Sequence, residues 1–158
     1  MSKPKVYIET SVISYLTARP SNDLRTAANQ VATTDWWDGR RNQFEVFVSS
    51  FVVAEASKGH PEAATRRLDA IARIPKLEAT EEVRALGLAL VAEGALPSQA
   101  EIDAYHIAIA AVNAVDYLLT WNCSHIANAS LRSKIETVCR SHGVEPPIIC
   151  TPTELMED

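Results

Sequence analysis

Glu9, Glu55 and Asp103 are acidic side chains set among apolar neighbours, and Asn122 shares that kind of setting. Glu9 ends the apolar run Val6-Tyr7-Ile8 and is followed by Thr10 and Ser11; Asn122 comes after Tyr117-Leu118-Leu119, with Thr120 and Trp121 between. Glu55 follows Ser49-Ser50 and interrupts the stretch Phe51-Val52-Val53-Ala54-Glu55-Ala56. Asp103 precedes Tyr105, Ile107, Ala108, Ile109, Ala110, Ala111 and Val112, so its segment is apolar on nearly every face. A helix of that kind is buried, and a carboxylate on it needs a partner. Three carboxylates sharing one cavity would repel each other and resist ionisation unless a cation neutralised them. Oxygen ligation without Cys or His suits Mg²⁺ or Mn²⁺. The alternative is that each acid is separately solvated or salt-bridged.

These side chains need elements that converge. Short apolar runs at 6–8, 44–48, 117–119 and 147–150 read as strands, mostly buried on both faces, with 76–79 as an edge strand. Between them lie segments of 3.6-residue periodicity at 22–41, 51–58, 62–73, 81–93, 98–114 and 128–142, and a short one from 152. Strands alternating with helices predict an α/β fold with a central, mainly parallel sheet covered on both sides. Ligands in such sheets sit outside the carboxyl ends of the strands, where Glu9 and Asn122 fall. Ser98 with Glu101 behind Pro97, and Thr151 with Glu154 around Pro152, have the spacing of capping boxes. The first of these places Asp103 on the second helical turn.

With 158 residues, 47% of them apolar and 22% charged, the chain has the size and composition of one globular domain spanning residues 1–158. A net charge of -5 argues against a general basic surface that coats nucleic acid, although not against a local basic groove. Cys123, Cys139 and Cys150 are odd in number and form no C-x-x-C pair, which predicts reduced thiols and a cytoplasmic location. Neither a signal peptide nor a membrane span is legible. A phosphoacceptor domain would want an aspartate after the middle strand and a lysine after a later one; Ser49-Ser50 and Cys150 occupy those places.

The order Tyr7-Ile8-Glu9-Thr10-Ser11, Glu55 after Ser49-Ser50, Asp103-Ala104-x-x-Ile107-Ala108 and Leu118-Leu119-Thr120-Trp121-Asn122 resembles the PIN domain, and within it the toxin nucleases of the VapC type. The resemblance covers residues 5–156. It implies a three-layer α/β/α sandwich that binds Mg²⁺ or Mn²⁺ at the carboxyl edge of its sheet. It further implies hydrolysis of RNA phosphodiester bonds, dimer formation, and silencing by a cognate antitoxin protein. Carried over by position, Glu9, Glu55 and Asp103 are the first three acids and metal ligands; Asn122 takes the place of the fourth, and His125 falls where some relatives carry another acid. The first acid of the family is usually Asp, so Glu9 adds a methylene. Asn122 offers a carbonyl oxygen without charge. These departures leave open an alternative, a degenerate PIN module that binds RNA or a protein partner without cutting.

Thr10, Ser11 and Thr120 are candidates for hydroxyl contacts behind the ligands, with strand-end or capping roles as the alternative. His125 is placed to touch substrate phosphate or to anchor its loop. His106, one turn beyond Asp103, reads as a hydrogen-bonded core histidine. Trp121 reads as a half-buried strand-end residue, and the adjacent Trp36 and Trp37 cannot both face one core.

Overall fold

The computed structural model describes residues 2–157. Five strands form one sheet: β1 (Lys5–Ile8), β2 (Glu45–Ser49), β3 (Lys76–Leu77), β4 (Tyr117–Leu119) and β5 (Ile148–Cys150). Their order is β3-β2-β1-β4-β5 and every pairing is parallel. The helices are α1 (Thr10–Thr17), α2 (Leu24–Gly39), α3 (Ser50–Ala56), α4 (Pro61–Ile71), α5 (Glu81–Ala92), α6 (Glu101–Val112) and α7 (Ala129–Ser141). This is the expected three-layer α/β/α arrangement, with the weak 76–79 run reduced to a two-residue edge strand. Val6, Tyr7, Ile8, Val48, Leu118 and Leu119 are all fully buried, as strands covered on both faces require.

The central pair, β1 and β4, fixes the site. Ile8 stands opposite Leu119, and the ladder runs on past the strand ends, with Glu9 N–H donating to Leu119 O at 3.0 Å and Thr120 N–H to Cys150 O at 3.0 Å. Glu9 and Thr120 are therefore held side by side at the carboxyl edge.

Helix α1 runs against local propensity, because Thr10–Thr17 is rich in β-branched residues and its cap is Glu9, an unusual capping residue. Burial of Val12 and Ile13 overrides those propensities. The 22–41 segment stops at Gly39, and Arg41–Gln43 forms a 3-10 turn instead.

The capping box at Ser98 does not form. Ser98–Ala100 is a 3-10 turn, and α6 begins at Glu101. Glu101 is engaged elsewhere, since Oε1 accepts from the Tyr105 hydroxyl at 2.8 Å. Asp103 consequently lies on the first turn of α6, not the second. The segment from 152 is a turn and not a helix, although Glu154 Oε1 does accept from Thr151 N–H at 3.0 Å as its spacing predicts.

Helix α6 is buried from Ala104 to Ala111 and packs closely on α5. A Cβ at Gly87 of α5 would lie 2.3 Å from the Tyr105 ring, so only glycine admits this approach. Tyr105 in turn stacks on Phe51 of α3, with ring centres 5.1 Å apart, and Phe51 meets His106 edge-on. This aromatic column sets α6 against α3.

Trp36 is fully buried while Trp37 lies partly buried beneath the Arg41 guanidinium at 4.2 Å, so the two indoles diverge as expected. All three cysteines are free; burial pushes the thiol of Cys139 up to about 11 and that of Cys150 up to about 12, which keeps both protonated and unreactive. Among the described residues no helix is long and apolar enough to cross a membrane.

Candidate metal centre

Glu9, Glu55 and His106 present ligand atoms that all lie within 4.8 Å of one another. They come from the end of β1, from α3 and from α6. The convergence of Glu9 and Glu55 follows from topology, because parallel strands put the β1-to-α1 and β2-to-α3 connections at the same edge; His106 arrives on α6, which follows α5 and leads into β4.

Each acid has its own set of donors. Glu9 is 4% exposed. Its Oε1 accepts from the hydroxyls of Ser11 and Thr120, both at 2.5 Å, and its Oε2 from Ser11 N–H at 3.1 Å. Ser11 Oγ also accepts from Trp121 N–H at 2.8 Å, and Thr120 Oγ1 from Asn122 N–H at 2.9 Å, which ties the loop after β4 to the Glu9 clamp. Bonds of this kind fix the orientation of the carboxylate.

Glu55 Oε1 accepts from Thr10 Oγ1 at 2.6 Å and pairs with His106 Nε2 at 2.6 Å. Burial works to raise its pKa, but the His106 hydrogen bond and charge, the Thr10 hydroxyl and the Lys58 charge together bring it below the ordinary carboxylate value. His106 is fully buried, as its core reading requires. Burial disfavours its charged form, yet the hydrogen bond to Glu55 and the charges of Glu9, Glu55 and Asp103 outweigh that effect and raise its pKa. Its Nδ1 lies 2.6 Å from the Tyr7 hydroxyl, which sits 2.7 Å from Ser49 Oγ. Burial above all, then the charges of Glu9 and Glu55, lift the Tyr7 phenol well above its ordinary value despite the Ser49 bond, so it stays protonated.

Asp103 meets the need for a partner through His125, whose Nδ1 is 3.0 Å from Oδ2. It stands outside the group of three, although its charge reaches His106 one turn on. Asn122 turns its side-chain oxygen inward to the loop, where Oδ1 accepts His125 N–H at 3.1 Å. Trp121 is half-buried, with Nε1 donating to Thr33 Oγ1 at 2.8 Å and its ring edge-on to Tyr15. His106, one turn beyond Asp103, is both the hydrogen-bonded core histidine that its setting predicts and a group that approaches the site, whereas nothing in the sequence singles out Tyr7. The i, i+3 spacing of Asp103 and His106, which puts them on one helix face, was the available signal.

The chain matches no family model and no curated protein. Its fold is similar to that of VapC20 from Mycobacterium tuberculosis, a sarcin-ricin loop cleaving toxin, with a TM-score of 0.59 and 14% identity over 77% of this chain and 93% of that one. A chain of VapBC2 from Rickettsia felis, solved bound to a DNA fragment from their promoter, aligns with a TM-score of 0.55 and 13% identity over 93% of this chain and 98% of that one. The chain thus has the PIN-domain fold of VapC-type toxins, carrying an acidic cluster at the carboxyl edge of its parallel sheet.

Proposed function

We propose that this chain is a divalent-metal-dependent endoribonuclease, the toxin of a toxin–antitoxin pair. The observation that carries the reading is the meeting of Glu9 and Glu55, from elements distant in sequence, at the carboxyl edge of a VapC-like sheet. The donor set fits a hard dication: two carboxylates bonded by hydroxyls, an amide and an imidazole, with Asp103 on the first turn of the neighbouring helix. Mg²⁺ or Mn²⁺ would be held by Glu9, Glu55 and Asp103. When bound, such a cation supplies Lewis-acid stabilisation of the charge that develops on a phosphodiester during hydrolysis.

The chain's own residues do the remaining work. Ser11 and Thr120 keep Glu9 aimed, and Thr10 does the same for Glu55. Asn122 shapes the loop that carries His125, and His125 orients Asp103 while its Nε2 remains available to an RNA phosphate. An antitoxin partner, a homodimer and a cytoplasmic setting belong to the same reading.

Purified wild-type protein is expected to cleave single-stranded RNA with Mg²⁺ or Mn²⁺, and Asp103→Asn to lose most of that activity with its fold intact. Undiminished cleavage by Asp103→Asn would remove the assigned site. A second reading, a module that binds RNA or a protein without cutting, draws on Asn122, whose side-chain oxygen is already used within its loop. Calorimetry decides, since absence of Mg²⁺ or Mn²⁺ binding at millimolar concentration favours the module.

A further inference from the structure

A chain of buried polar groups runs behind Glu55: Ser49 Oγ, the Tyr7 hydroxyl, the His106 ring and the Glu55 carboxylate, linked at 2.7, 2.6 and 2.6 Å. Ser49, Tyr7 and His106 are each fully buried. Polar groups in such surroundings are costly unless every one of them is satisfied, and a core between α3, α6 and the sheet could have been filled with apolar side chains.

Donor and acceptor arithmetic gives the chain a direction. An ionised carboxylate only accepts, so His106 Nε2 must carry the proton it shares with Glu55 Oε1. In the neutral ring Nδ1 is then an acceptor, the Tyr7 hydroxyl donates to it, and the Ser49 hydroxyl donates to Tyr7; in the charged ring Nδ1–H donates to Tyr7 instead, and Nε2 keeps its proton in both forms. Ser49 Oγ accepts in turn from Val52 N–H at 3.3 Å, at the cap of α3. Each link is filled whenever Nε2 carries its proton. Both bonds to Glu55 fall on Oε1, shared between His106 and Thr10, which leaves Oε2 for a ligand.

We propose that His106 is a positioning residue, whose imidazole, oriented by Tyr7, fixes the Glu55 carboxylate opposite Glu9 for a divalent cation without itself ligating it. This rests on the metal-dependent reading above. Both ring nitrogens are engaged at 2.6 Å, so ligation by His106 would have to break the bond to Tyr7 or the bond to Glu55. Groups that orient a ligating side chain in this way change metal affinity by about 10- to 100-fold when removed.

The test follows Mn²⁺ binding without RNA, together with the ¹⁵N spectrum of labelled histidine, in wild type, Tyr7→Phe, His106→Gln and His106→Leu. Expected are a His106 ring protonated at Nε2, Mn²⁺ affinity lowered about 10-fold in Tyr7→Phe with an unchanged circular dichroism spectrum, and a smaller loss in His106→Gln than in His106→Leu. Glutamine keeps an amide donor near the place of Nε2, so its partial rescue separates positioning from space filling. If His106→Leu fails to fold, Tyr7→Phe and His106→Gln carry the comparison alone. The proposal is overturned by an Nε2 without its proton, by a directly bound nitrogen in the electron-spin spectrum of the Mn²⁺ complex, or by wild-type affinity in Tyr7→Phe and His106→Gln. Wild-type protein that binds no Mn²⁺ at millimolar concentration would instead sink the nuclease reading, and the protonation of Nε2 would still decide whether His106 holds Glu55.

Discussion

Thr10→Val replaces a hydroxyl by a methyl of similar shape at a position only 8% exposed, and so isolates one bond, that from Oγ1 to Glu55 Oε1 at 2.6 Å. A hydrogen bond to a charged group contributes about 1.5–3 kcal/mol. The Glu55 side chain is 32% exposed and keeps His106 on the same oxygen, so water and the imidazole recover part of the loss. The expected destabilisation at neutral pH is therefore about 1–2 kcal/mol, or roughly 2–8 °C in Tm for a chain of this length. The effect has a defined pH sign. The hydroxyl serves the ionised carboxylate, whose folded pKa lies below its ordinary 4.5, so the difference between wild type and variant is full above that value and fades as pH falls through the folded one. Thermal melts of both proteins across this range measure it, and Mn²⁺ titration gives a second readout, with affinity about 10-fold lower in the variant. Equal melting temperatures at neutral pH, or a difference that grows on acidification, would refute the assigned role of Thr10.

Other outcomes follow from the same geometry. The Glu55–His106 pair stabilises most between pH 4.5 and 6.5: the lowered carboxylate loses its contribution as pH falls through its folded value, and the raised imidazole loses its own as pH rises through its folded value. Melts of wild type against Glu55→Gln should therefore differ most within that window and converge on both sides. Gly87→Ala would put a Cβ 2.3 Å from a ring that Phe51 holds in a stack. Overpacking of about 1–3 kcal/mol then exceeds the helix propensity gained, about 1 kcal/mol, and urea denaturation should show a net loss of about 1 kcal/mol. Ala114 closes α6 with a φ of 54°, its N–H bonded to Ala111 O and that of Val115 to Ala110 O, a helix end that favours glycine. Ala114→Gly should accordingly gain about 0.5–1 kcal/mol, read in the same denaturation experiment.

Hydrophobic patterning carried the architecture. Continuous apolar runs such as Val6-Tyr7-Ile8 and Tyr117-Leu118-Leu119 report strands buried on both faces, and such burial in turn demands parallel pairing under helices. The residue types after those runs also placed Glu9 and Asn122 at neighbouring strand ends, since strand polarity alone sets which edge they occupy. Local signals failed where distant partners compete. Glu101 is bonded by Tyr105 and leaves the Ser98 box unformed, while packing of Val12 and Ile13 makes a helix of a β-branched stretch capped by an acid. The tertiary structure alone decided which polar groups share a site. His106 and Tyr7 lie 99 residues apart yet touch at 2.6 Å, whereas Asp103, one helical turn from His106, turns to His125 instead. Periodicity reports the face on which a side chain stands. The partner it meets depends on side-chain direction and on what the other elements bring to that face, a property of the folded chain as a whole.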